Sequence, residues 1–137
     1  MDKPESPVTV DLLFEDEEIL ILYCAYHDPW TWGDFHAGLA RDRELTRHAS
    51  GRAVYRVVDL SATQGVPPGA VRHFSQAAGE FMRGSGITVF VTANPVLRAL
   101  GKTMTRLFPR TYPRVRHAAD LHEASALIER LTSGELI

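Results

Sequence analysis

The sequence predicts an α/β fold on a mixed, mostly parallel sheet of about five strands, and three observations carry that expectation. Short apolar runs at 19–26, 53–60, 87–92 and 115–118 alternate with segments whose apolar residues recur every three or four positions. That alternation implies right-handed crossovers between parallel strands. The opening differs: two strand-like segments flank the charged turn Glu15-Asp16-Glu17, which makes a hairpin and adds one antiparallel strand. The 137 residues contain no internal repeat, low-complexity block or linker. Residues 1–137 therefore read as a single domain with flexible ends at 1–7 and 133–137.

The elements follow in the order β-β-α-β-α-β-α-β-α. Val8, Val10, Leu12 and Phe14 alternate as in a half-buried strand, and Ile19 to Tyr26 returns as a nearly unbroken apolar strand. Thr31 and Asp34 have capping-box spacing ahead of a first helix marked by Phe35 and Leu39 and weakened by Gly38. Ala53 to Leu60 is a third strand. Pro68 fits the first position of a second helix, with Val71, Phe74, Ala78, Phe81 and Met82 as its apolar stripe and Gly84-Ser85-Gly86 as its stop. After the strand Ile87 to Thr92, Asn94 and Pro95 open a third helix with Leu97, Leu100, Met104, Leu107 and Phe108 on one face. Val115 to Ala118 is the last strand. Asp120 and Glu123 then cap a helix that turns Leu121, Ala124, Ile128 and Leu131 inward.

Composition narrows the function classes. The single Cys24 excludes an internal disulfide, and its place in ILILYCAY marks it as a buried thiol rather than a nucleophile. The acidic start lacks a signal-peptide pattern and no apolar run reaches the ~20 residues a membrane span needs, so a soluble cytoplasmic protein is expected. The net charge of −2 is unevenly spread: seven acids crowd residues 1–18, while no acid lies between Glu80 and Asp120.

The element order, the strand ending VVDLS and the helix after the following loop are similar to STAS domains, the family of sulfate transporters and anti-sigma-factor antagonists. The chain most resembles small stand-alone bacterial STAS-like proteins, through Trp30 and Trp32, Ala93-Asn94-Pro95 with Arg98-Ala99, and Tyr112-Pro113-Arg114. The resemblance spans about residues 8–131 and implies a regulatory or binding module rather than an enzyme, without a cofactor. Phospho-regulated members carry an Asp-Ser pair at the start of the helix after this loop. The matching positions here are about Pro67 and Pro68, which have no hydroxyl to accept a phosphate, so that covalent switch is not expected.

Other chemistry finds little support. Leu100-Gly101-Lys102-Thr103 resembles the tail of a phosphate-binding loop, but Val96 stands where the first glycine belongs. The six histidines show no metal-ligand spacing and read as solvated or edge residues. Asp59 could serve as a base but more simply caps the turn after its strand, and the Ser61 and Thr63 hydroxyls suit the same turn. In a parallel sheet the Trp30–Trp32 segment, the Ser61–Gly69 loop and Asn94 emerge at one edge. That places Trp30, Trp32, Asp59, Ser61, Thr63 and Asn94 in a candidate binding site for a protein partner or a small ligand or lipid. Arg98, Lys102 and Arg106 recur every four residues as a basic stripe. With Phe108 and Tyr112 beside it, that stripe is expected to dock an acidic protein surface, most simply in a homodimer. Nucleic acid is not expected, because no recognised nucleic-acid fold or interleaved aromatics accompany the charges.

Overall fold

A computed structural model describes residues 6–77, 86–109 and 115–133. The charged turn closes the opening hairpin as its composition suggests. The Asp16 carboxylate accepts the Glu18 amide at 2.7 Å and the Ile19 amide at 2.9 Å, which reverses the chain between β1 (Val8–Glu15) and β2 (Ile19–His27). The chain continues through α1 (Trp32–Thr46), β3 (Ala53–Ala62), α2 (Ala70–Gln76), β4 (Thr88–Val91), α3 (Pro95–Leu107), β5 (Val115–Ala118) and α4 (Leu121–Thr132). The sheet order is β1-β2-β3-β4-β5, with β1 antiparallel to β2 and every later pair parallel.

Side chains alternate across the strands and so build two cores. Val8, Val10, Leu22, Cys24, Tyr26, Val54 and Val58 point to the side covered by α1, with Phe35 and Leu39 packed on them. Val57, Val89, Val91 and Ala118 point to the other side, where Ala124 and Ile128 of α4 cover them. Gly38 belongs where it stands. A Cβ there would lie 2.9 Å from Val8 Cγ1, so the missing side chain lets α1 settle onto β1. Thr31 and Asp34 form the expected reciprocal capping box.

Two details of the helices differ from the sequence expectation. The second helix starts at Ala70, after Gly69 at φ 96°, and Pro68 lies outside it. The Pro68 carbonyl instead accepts a hydrogen bond from Trp32 Nε1 at 2.7 Å, which fixes the preceding loop before Gly69 turns the chain into α2. Val71, Leu107 and Leu121, expected to face inward, are exposed by 52, 54 and 43 %. For α3 the reason is length. Its 13 residues span about 20 Å whereas the four residues of β4 span about 13 Å, so the helix end overhangs the sheet. Ala78, Phe81, Met82, Gly84-Ser85 and Tyr112 lie outside the described residues. No described helix is long and apolar enough to cross a membrane.

Candidate functional site

Parallel strands deliver the loops after β2, β3 and β4 to one edge, and hydrogen bonds tie them together. Thr63 Oγ1 accepts from Trp30 Nε1 at 3.0 Å and donates to Asp28 Oδ1 at 2.6 Å. Asp28 Oδ2 accepts the Gln64 amide at 2.8 Å. Asn94 Nδ2 donates to the Gln64 carbonyl at 3.1 Å, and Asn94 Oδ1 receives the Val96 amide at 2.8 Å to cap α3. Trp30, Trp32, Thr63 and Asn94 are thus brought together around the loop.

Asp59 and Ser61 are not part of this group. Val58 faces the α1 side, so alternation sends Asp59 to the α4 side, with Ser61 following it. Asp59 Oδ1 receives the Ser61 amide at 3.0 Å and the Ser61 hydroxyl at 2.6 Å, and Asp59 Oδ2 accepts from the Tyr23 hydroxyl. Burial alone would raise the Asp59 carboxyl, but the hydrogen bonds from Ser61 and Tyr23, with the nearby His27, hold it below the usual carboxylate range. Burial and the Asp59 carboxylate push the Tyr23 phenol up to about 12. A carboxylate this stabilised is a poor base near neutrality, and the Ser61 proton already points at it. The cluster holds the end of β3 in shape.

On the α1 side, the aromatic residues line an apolar cavity of about 90 Å³ between the sheet and the three helices α1, α2 and α3. Its floor includes Cys24, Tyr26, Val58 and Phe90, and its roof includes Phe35 and Leu39 of α1, Phe74 of α2 and Leu97 and Met104 of α3. Trp30 is buried in this wall, edge-on to Tyr26 at 5.0 Å between centroids. Trp32 meets Phe35 and Phe74 edge-on at 5.2 and 5.4 Å, and so pins α2 over the cavity. Burial pushes the Cys24 thiol up to about 12, which removes it as a nucleophile. At the opposite end from Trp30, Asp42 and Arg56 form a buried pair: Arg56 Nε donates to Oδ2 at 2.7 Å and Nη2 to Oδ1 at 2.9 Å.

The histidines take roles that sequence spacing did not show. His36 of α1 and His73 of α2 stand 37 positions apart yet meet, Nε2 to Nδ1, at 2.9 Å, with Trp32 stacked on the His73 ring at 4.5 Å. Arg72 Nη2 lies 3.1 Å from His73 Nε2. A guanidinium only donates, so His73 carries its proton on Nδ1 and passes it as a donor to His36 Nε2. The His73 ring is neutral in this arrangement. Burial, then Arg72 and His36, lower the His73 pKa, and burial, then Arg98 and Lys102, lower that of His117. A histidine lowered in the folded state contributes its full stabilisation above its unfolded value of 6.5. That contribution is lost as the pH falls from there toward the folded value. The melting temperature is therefore expected to drop between pH 8 and pH 5.5, and His73→Gln to flatten the profile. Asp59, lowered from 3.8, acts only at more acidic pH. A melting temperature unchanged across that range would contradict this assignment.

The basic stripe is only partly a stripe. Lys102 and Arg106 are exposed on α3, but Arg98 turns back and donates from Nε to the Thr92 carbonyl at 3.0 Å. Phe108 is half-buried at the end of α3. Leu100-Gly101-Lys102-Thr103 lies inside α3, so no phosphate-cradling loop exists there. Among the described residues no group of three or more His, Cys, Asp or Glu could hold a metal ion. No protein-family model and no curated protein matches this chain.

Proposed function

We propose that this chain is a non-enzymatic regulatory module that takes up a small apolar ligand between its sheet and the helices α1, α2 and α3. The cavity carries this reading. At about 90 Å³ it far exceeds the ~10–15 Å³ that one water requires, and its wall is dominated by aliphatic and aromatic side chains. The polar groups of the overlying loop favour binding over catalysis, because they are engaged in holding that loop. The resemblance to STAS-like proteins points the same way.

A second reading, docking of a protein partner, is favoured by Val71 and Val96, exposed by 52 and 69 % on the first turns of α2 and α3. The two readings share α2, which carries Phe74 in the cavity wall and Val71 on the outer surface. A ligand that displaces Phe74 would therefore alter the surface a partner meets.

Toluene titrated into labelled protein is expected to shift resonances of Phe74, Leu97 and Met104. At ten times its dissociation constant it would stabilise by about 1.4 kcal/mol, raising the melting temperature by a few degrees. Val58→Phe, which fills the cavity, should abolish both effects. Shifts confined to surface residues, or equal in the filled variant, would remove the ligand reading and leave the partner reading.

A further inference from the structure

Within the cavity wall, one atom is out of place. His117 Nδ1 is buried with no hydrogen-bond partner, and it is the sole such side-chain nitrogen or oxygen among the described residues. Several of its polar neighbours in the wall are satisfied. Asp42 and Arg56 hold each other, Trp30 reaches Thr63, Thr92 Oγ1 accepts the Asn94 amide at 3.0 Å, and Thr105 Oγ1 donates to the Gly101 carbonyl at 3.0 Å.

The ring has little freedom to turn toward another partner. It stacks on Phe90, with centroids 6.1 Å apart and planes at 28°, and packs against the bare Cα of Gly101. A Cβ at Gly101 would stand 2.7 Å from His117 Cε1, so that glycine makes room for the imidazole. Buried polar atoms in native proteins are nearly always partnered, and an exception calls for an explanation such as a water or a ligand. A water here would find few free polar atoms where buried waters usually bond to about three.

We infer that the cavity selects a compact, neutral, apolar ligand bearing one hydroxyl group, which hydrogen-bonds to His117 Nδ1. This rests on the ligand-binding reading above and names the chemistry of that ligand. A hydroxyl suits the site because it can donate or accept and so serves either tautomer of the neutral ring. Burial, with Arg98 and Lys102 nearby, keeps that ring neutral near pH 7. A carboxylate would have to shed its water in an apolar chamber whose buried cation, Arg56, is already bound to Asp42. The volume limits the ligand to about one small ring or a short branched chain.

Phenol and toluene test this directly, since they match in shape and differ by a hydroxyl against a methyl. In the full chain, phenol is expected to move the imidazole ¹⁵N resonance of His117 Nδ1, whereas toluene binds and leaves it in place. In His117→Phe the affinity for phenol relative to toluene should fall by about tenfold while toluene still binds. If toluene binds but phenol does not move the Nδ1 resonance, or the ratio is unchanged in the variant, the hydroxyl assignment is overturned and the cavity reading survives. If neither compound binds, both fail together. Should His117→Phe not fold, the ¹⁵N measurement on the unaltered chain decides alone.

Discussion

Replacing Arg56 with leucine is expected to destabilise the domain by about 3–5 kcal/mol, a large part of the stability of an ordinary domain. Arg56 lies on β3 between the inward-facing Val54 and Val58 and crosses to Asp42 on α1. Both side chains are nearly out of water, with 4 and 11 % exposed. The bidentate geometry satisfies both carboxylate oxygens, and leucine would strand that carboxylate beneath a helix. Much of the cost lies in the stranding rather than in the lost attraction. Asp42→Leu combined with Arg56→Leu should therefore recover part of the loss, because no unpaired charge is left. Recovery stays incomplete because Arg56 engages more than Asp42 alone. Urea unfolding of the single and double variants measures this. A loss below about 1 kcal/mol for Arg56→Leu would show that the carboxylate finds water without its partner.

One member of that pair shows in the sequence as an anomaly. Arg56 interrupts the apolar run AVYRVVDL, and a cation in the middle of a central strand needs a buried partner. What the run could not disclose was which acid supplies it, since Asp42 sits 14 positions away on a different element. The strands, the hairpin and the first capping box were legible because periodicity and caps are local. Trp30, Trp32, Thr63 and Asn94 were also legible as neighbours, because parallel topology alone brings their loops to one edge. Loop position groups Asp59 and Ser61 with them. Strand alternation, counted from Val58, instead places Asp59 on the opposite face. The His36–His73 contact and the unpartnered His117 nitrogen depend on how helices cross the sheet, which no spacing rule encodes.

Gly86→Ala is expected to cost about 3 kcal/mol or more, although it adds a single methyl group. The sequence offers Gly86 as part of a helix stop, which alanine would tolerate with modest loss. The structure gives it another reason. Where the chain enters β4 it passes directly against β3, and Arg56 N donates to the Ile87 carbonyl at 3.0 Å. A Cβ on Gly86 would overlap the Val54 carbonyl oxygen and stand 2.5 Å from its carbon and 3.0 Å from Tyr55 N. All three are backbone atoms of a central strand, so no rotamer change relieves the overlap. β4 would have to move away from β3, weakening the register that pairs Arg56 with Thr88 and Val57 with Val89. Gly101→Ala is the informative contrast. Its Cβ would meet the ring of His117, a side chain rather than the backbone of a central strand, so a smaller loss of about 1–2 kcal/mol is expected. Chemical denaturation of both variants gives the comparison. Equal, small losses would mean that β3 and β4 yield as easily as a side chain, contrary to a sheet whose central strands are held by their close approach at Gly86.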